Sequence, residues 1–277
     1  MVRSYKNTEV HGHRGCRGYL PENTIPAFLR AIDLGVDAIE LDVVITGDGQ
    51  VLVSHEAWFS AEFCLKPDGS LIAPEDETLH NIFKLPYETI RRFDCGSKYH
   101  PRFLDQERLV VSKPLLVDVI DAVETYIVDR KQFPVNYNIE IKSFPAGDNL
   151  FHPSPSVFAN LIMDVVLSRG IISRTMIQSF DVRPLQEIYA KYKIIRLGLL
   201  VEDQVLAKEH LKKLGFLPFA YNPHHSLLTP KLAAYLKNIN ISIYAWTVNT
   251  LEDAQNCINL EVDGIITDYP DLIKNIL

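Results

Sequence analysis

Short apolar runs alternate with longer amphipathic stretches along almost the entire chain. The runs, rich in Val, Ile, Leu and Tyr, read as strands over residues 9–13, 37–44, 137–142, 175–179, 194–200, 219–221, 242–247 and 264–267. Between them, apolar positions three and four apart predict helices over 24–34, 115–130, 156–169, 183–191, 204–214, 230–238 and 251–260. Thr24 suits the cap of the first, with Pro26 in its opening turn, and Gly35 and Gly170 stop two of them. Strands and helices in such alternation predict an α/β fold, a (β/α)8 TIM barrel, which needs about 250 residues. The alternative is a doubly wound open sheet. Its mark, a GxGxxG turn after the first strand, is absent: Gly12, Gly15 and Gly18 are spaced differently and enclose Arg14 and Arg17.

One region breaks the alternation. Residues 50–54 read as a hairpin return from Val43 through a Gly47-Asp48-Gly49 turn. Residues 56–113 then lack clean periodicity and carry Pro67-Asp68-Gly69, Pro74, Pro86 and Pro101. An insertion of this length in a barrel loop is more often functional than not. The expectation is one domain over residues 1–277, with 56–113 as a small cap-like insertion after the second strand. Trp58, Phe59, Phe63, Phe83 and Phe93 are fewer large apolar residues than a separate core would want.

Composition narrows the functional classes. The 277 residues are 47% hydrophobic and 23% charged, with a formal net charge of −7 and no basic stripe, which disfavours nucleic acid. No run approaches a membrane span. Met1–Thr8 is polar and lacks the apolar core of a signal peptide, so a cytoplasmic location is the default, periplasmic or secreted if a signal was removed. Oligomeric state is left open. Cys16, Cys64, Cys95 and Cys257 show no zinc spacing. They read as four reduced, mostly buried thiols, with a Cys64–Cys95 bridge as the alternative.

The chemistry gathers at strand ends. Glu40 and Asp42 alternate with Ile39, Leu41 and Val43, so both carboxylates share one face of a strand. Glu140 and Lys142 share a face at the end of the next strand, and His13 and His55 close two others. Active sites of barrels lie at the C-terminal strand ends. Two like charges 4 Å apart cost about 4 kcal/mol at an effective dielectric near 20, so three bare carboxylates call for a partner. A hard dication with oxygen ligands, Mg2+ or Ca2+, suits Glu40, Asp42 and Glu140. The competing reading pairs Glu40 or Glu140 with Arg14 or Lys142. His13 and His55 suit proton transfer because imidazole titrates near neutrality. His11 reads as packing.

These pieces resemble the glycerophosphodiester phosphodiesterase family. The matching blocks are His13-Arg14-Gly15, Glu22-Asn23-Thr24, Glu40-Leu41-Asp42, Ser54-His55, Glu140-Ile141-Lys142, Gln178-Ser179-Phe180-Asp181, Trp246-Thr247-Val248-Asn249 and Thr267-Asp268-Tyr269-Pro270. The resemblance implies a barrel with an insertion after its second strand and hydrolysis of glycerol phosphodiesters to glycerol 3-phosphate and an alcohol. It implies Glu40, Asp42 and Glu140 as ligands of one divalent cation, and His13 and His55 as the acid/base pair. Arg14 and Lys142 would contact phosphate. Glu56 departs from the Asp common in the family and leaves the orientation of His55 in question. The small-molecule substrate would be a phosphodiester such as glycerophosphocholine or glycerophosphoethanolamine. Which histidine is base, and whether water or the glycerol 2-hydroxyl attacks, both stay open. A lyase-type phospholipase and a silent phosphodiester-binding barrel are the competing functions.

Overall fold

A computed structural model describes residues 8–277; apart from Thr8, the polar segment over residues 1–8 lies outside the described residues. Among the described residues nine strands are formed: β1 (Glu9–Gly12), β2 (Ala38–Ile45), β3 (Val51–Val53), β4 (Asn136–Ile141), β5 (Thr175–Ser179), β6 (Arg196–Val201), β7 (Ala220–Pro223), β8 (Ser242–Ala245) and β9 (Gly264–Thr267). All but β3 pair in parallel in the order β1, β2, β4, β5, β6, β7, β8, β9, and β9 returns to β1. The TIM barrel is closed, and the open sheet is excluded. The β3 strand lies antiparallel on the outer end of β2, with Val43 opposite Val53, as the hairpin reading expected.

Nine α-helices accompany them among the described residues: α1 (Ile25–Asp33), α2 (Tyr87–Ile90), α3 (Leu116–Arg130), α4 (Pro155–Ser168), α5 (Val182–Lys191), α6 (Ala207–Leu214), α7 (Pro230–Asn238), α8 (Leu251–Asn259) and α9 (Pro270–Lys274). The Thr24 hydroxyl accepts the Ala27 N–H and starts α1 as its sequence signals. The α6 helix starts three residues later than expected, because Asp203 Oδ1 accepts the Val205 N–H in a local turn that precedes it.

Alternation in β2 explains both the core and the site. Ile39, Leu41, Val43 and Ile45 join Ala27, Phe28, Ala31 and Ile32 of α1 in the main apolar cluster between barrel and helices. Glu40 and Asp42, equally buried, face the barrel interior instead. Met176, Ala220, Tyr244 and Ile266 form a small apolar plug from four other strands.

The segment from residue 56 to 113 packs a second cluster that includes Phe59, Ile72, Ile82, Ile90 and Phe93, shared with Val44 and Leu52 of the barrel. Phe59 and Phe93 stack at 3.7 Å. The reading of four reduced thiols is corrected here: Cys64 and Cys95 form a disulfide, while Cys16 and Cys257 stay free and buried. Leu65 and Asp94 exchange both backbone hydrogen bonds, at 2.7 and 3.2 Å, which sets their neighbours Cys64 and Cys95 side by side. No helix among the described residues is long and apolar enough to cross a membrane.

Candidate active site

The turn after β1 is the most constrained piece of backbone at the barrel mouth. Arg14 has φ of +51° and Gly15 of +89°. A side chain at Gly15 would meet the Ala27 backbone at 2.7 Å, so only glycine fits. The Arg14 conformation is unusual for a residue with a side chain. It is held by the Arg14 N–H, which donates to Glu40 Oε2 at 3.0 Å, and by the Arg14 carbonyl, which accepts from the Asn23 N–H at 3.0 Å. Asn23 (φ +57°) in turn donates through Nδ2 to Asp42 Oδ2 at 2.9 Å. The His-Arg-Gly and Glu-Asn-Thr blocks therefore brace each other and the carboxylates.

Glu40, Asp42 and Glu140 each bring a carboxylate oxygen within 4.8 Å of the other two. Strand register does this: Asp42 lies directly beside Glu140 in the β2–β4 pair, and Glu40 beside Asn138. One expectation is corrected. β2 continues to Ile45 through its pairing with β3, so Glu40 and Asp42 sit within the strand rather than at its end. The barrel rim nevertheless runs at their level, since β4 stops at Ile141 opposite Val43.

Burial and the carboxylates of Asp42 and Glu140 hold the Glu40 carboxyl well above its ordinary range. Glu140 is also raised, chiefly by burial, against the pull of Lys142, whose Nζ lies 2.6 Å from Glu140 Oε1. Asp42 goes the other way: Arg14 and Lys142 overcome its burial and keep it ionised. The competing ion-pair reading is thus present in part, as a Lys142–Glu140 pair and Arg14 Nε at 3.2 Å from Asp42 Oδ2. Those pairs leave Asp42 Oδ1 buried without a hydrogen-bond partner. An anionic oxygen that accepts no hydrogen bond, with Lys142 Nζ only at 3.7 Å, within a trio of carboxylates of which one is pushed toward protonation, fits a hard cation. Gln178 Nε2 donates to Glu40 Oε1 at 3.1 Å and is itself fixed by Asn222 at 2.7 Å, so the deepest carboxylate cannot turn away.

His13 and His55 lie just beyond the ends of β1 and β3 and both line a cavity of about 170 Å³ with Arg14, Glu40, Glu140 and Lys142. Each ring is held through Nδ1 by a carboxylate: His13 by Asp268 Oδ1 at 2.6 Å, His55 by Glu56 Oε1 at 2.6 Å. The longer side chain at Glu56 therefore still reaches its histidine. Burial pushes the His13 pKa down to about 4, and the attraction of Asp268 only partly offsets it against Arg17 and Arg14. His11 is buried between Glu9 and Asn138, as the packing reading expected.

Several residues of the site carry no role in the sequence reading. Asp268, just past β9, binds His13 and takes Arg17 through Nε at 3.0 Å and Nη2 at 3.1 Å. Asn249 Nδ2 donates to it as well, at 2.7 Å. Glu22 accepts Arg14 Nη1 at 2.7 Å and Arg17 Nη1 at 3.4 Å. Glu22, Asn249 and Asp268 fall within quoted blocks at loop or strand-end positions, which was the available signal. Arg102, from the insertion, also lines the cavity, and nothing in its local sequence marks it.

Known proteins carry the same arrangement of chain and fold. The pattern of the glycerophosphoryl diester phosphodiesterase family matches residues 13–272. A glycerophosphodiester phosphodiesterase from Caldanaerobacter subterraneus subsp. tengcongensis is 32% identical over 270 residues, covering 98% of each chain. A Silicibacter pomeroyi protein provisionally named a glycerophosphoryl diester phosphodiesterase superposes with a TM-score of 0.86 at 27% identity, covering 97% of this chain and 92% of that one. An Oleispira antarctica phosphodiesterase, solved with sn-glycerol-3-phosphate, shares the fold at a TM-score of 0.75 and 22% identity, covering 96% and 95%. With a closed parallel barrel, a buried carboxylate trio at its mouth and a match over nearly its whole length, this chain belongs to the glycerophosphoryl diester phosphodiesterase family and is a phosphodiester hydrolase.

Proposed function

We propose that the enzyme hydrolyses small glycerophosphodiesters, glycerophosphocholine and glycerophosphoethanolamine among them, to glycerol 3-phosphate and an alcohol. The observation that carries this reading is the trio of buried carboxylates within 4.8 Å, one of whose oxygens accepts no hydrogen bond and has only Lys142 Nζ at 3.7 Å. Glu40, Asp42 and Glu140 would hold one divalent cation, Mg2+ or Ca2+. Bound there, it supplies neutralisation of the charge that develops on the phosphoryl oxygens.

The remaining work falls to side chains of the cavity. Arg14 and Lys142 contact the phosphate and add fixed positive charge. His13 is the base: with Nδ1 bonded to Asp268 and its pKa near 4, Nε2 is unprotonated at neutral pH and takes the proton of the attacking hydroxyl. His55, oriented by Glu56, gives its proton to the departing alkoxide as the bond from phosphorus to the alcohol oxygen breaks. The relative from Oleispira antarctica was solved with the product this reaction requires. Residues 56–113 act as a cap on one side of the mouth within the same domain, a reading supported by Arg102 in the cavity wall.

Phosphorus NMR of glycerophosphocholine incubated with the purified chain tests the proposal. Glycerol 3-phosphate should appear with Mg2+ or Ca2+, and His13→Ala or His55→Ala should stop it while leaving the fold intact. A cyclic phosphate as the end product, or undiminished turnover by both variants, contradicts it. An analogue lacking the 2-hydroxyl separates attack by water, which it permits, from attack by that hydroxyl, which it prevents.

A further inference from the structure

We propose that Arg102, held in place by Glu62, selects the leaving alcohol, favouring diesters whose alcohol carries a carboxylate over those whose alcohol carries a quaternary ammonium. The inference rests on the phosphodiesterase reading above and names the substrate class of the same site.

The cavity, about 170 Å³, is smaller than the roughly 300–1,000 Å³ of sites that enclose a whole small-molecule ligand. It has room for the glycerol phosphate end, so the alcohol lies at the mouth. Four cations line the cavity: Arg14, Arg17, Lys142 and Arg102. The first three are largely buried and committed to Glu22, Asp42, Asp268 and Glu140. Arg102 differs, with a side chain 55% exposed.

Its Nε and Nη2 bind Glu62 at 2.7 and 2.8 Å. A guanidinium has five N–H donors and no acceptor. The other three, both Nη1 donors included, have no partner among the described residues. Glu62 thus fixes one edge of the fork and leaves the other for a ligand acceptor. The pair is pre-formed by its surroundings. The Cys64–Cys95 bridge ties the chain just past Glu62 to the chain leading to Arg102, and Lys98 Nζ donates to the Ala61 carbonyl. Phe103 sits beneath Arg102 and also carries Arg17 at 4.9 Å, which links the pair to the His13 side of the cavity.

A carboxylate on the alcohol would accept a charge-assisted fork from Arg102. A quaternary ammonium offers nothing to accept. Of the two aromatic side chains in the wall, Phe180 already faces Lys142 Nζ at 6.0 Å and Trp246 packs against Phe180 and His224, so neither ring stands free for a quaternary ammonium.

The test compares kcat/KM for glycerophosphoserine and glycerophosphocholine, read as glycerol 3-phosphate released by the purified chain with Mg2+. The wild type should prefer the serine diester. Arg102→Gln should lower the serine-to-choline ratio about tenfold, the loss expected of one charge-assisted hydrogen bond at a half-exposed site. Glu62→Gln, which removes the bidentate anchor that holds the fork, should lower the ratio as well, by less than Arg102→Gln. A ratio that neither substitution moves overturns the inference and leaves the phosphodiesterase reading standing. If the wild type turns over neither diester, both fall.

Discussion

His13 Nδ1 and Asp268 Oδ1 lie 2.6 Å apart although 255 residues separate them in the chain. The first and last strands of the barrel are neighbours, with Gly12 in register with Thr267, so the residues following each meet at the rim. The carboxylate fixes the tautomer that leaves Nε2 bare toward the cavity, and Arg17 and Asn249 keep the carboxylate itself from rotating. Asp268→Asn should therefore lower kcat by roughly 10²–10⁴-fold, the contribution expected of one positioned acid–base group. In a His13→Ala background the same change should cost little more. Steady-state kinetics on the two single variants and the double variant check this, and additive losses would contradict it.

The pH dependence follows from the burial of His13. Its pKa falls from 6.5 to about 4, so the neutral ring persists to lower pH than a solvated imidazole would, and with it the base proposed above. With the cation saturating, kcat/KM should hold through pH 6 and fail on the acid side near pH 4. The same depression makes unfolding take up a proton between about pH 6.5 and 4, so this group's contribution to stability is present above pH 6.5 and lost as pH falls through that window. A pH–rate profile that breaks near 6.5 on its acid side would point to a solvated histidine as the base.

Reduction should weaken the insertion without abolishing the barrel. The Cys64–Cys95 bridge spans 31 residues, for which loop-closure entropy gives about 3–4 kcal/mol of stabilisation. The Cys64→Ala/Cys95→Ala double variant should lose up to about that amount in chemical denaturation, with far-ultraviolet dichroism of the native state little changed. An unchanged denaturation midpoint in the variant would show that the bridge contributes nothing.

Much of this architecture is legible in the sequence because the barrel repeats one local rule. Runs such as Ile39-Glu40-Leu41-Asp42-Val43 state strand, outer face and inner face at once, and all eight barrel strands lie where such runs occur. The carboxylate trio is equally legible, since alternation puts Glu40 and Asp42 on one face and register sets Glu140 beside Asp42. What escapes is whatever depends on closure or on irregular backbone. The Asp268–His13 contact exists only because the barrel closes. The Cys64–Cys95 bridge depends on one Leu65–Asp94 pairing in a segment without periodicity. The Glu62–Arg102 pair spans 40 residues of that same segment, beyond any spacing rule.

On the reading proposed above, Glu40, Asp42 and Glu140 hold one divalent cation. Calorimetric titration of the chelator-stripped chain with Mg2+ and with Ca2+ tests it most directly, on the wild type and on Glu140→Gln. A single saturable site is expected in the wild type, with an affinity at least tenfold weaker in Glu140→Gln and a loss of diesterase activity on stripping that returns with the metal. Absence of saturable binding, or binding that Glu140→Gln leaves untouched, would contradict it.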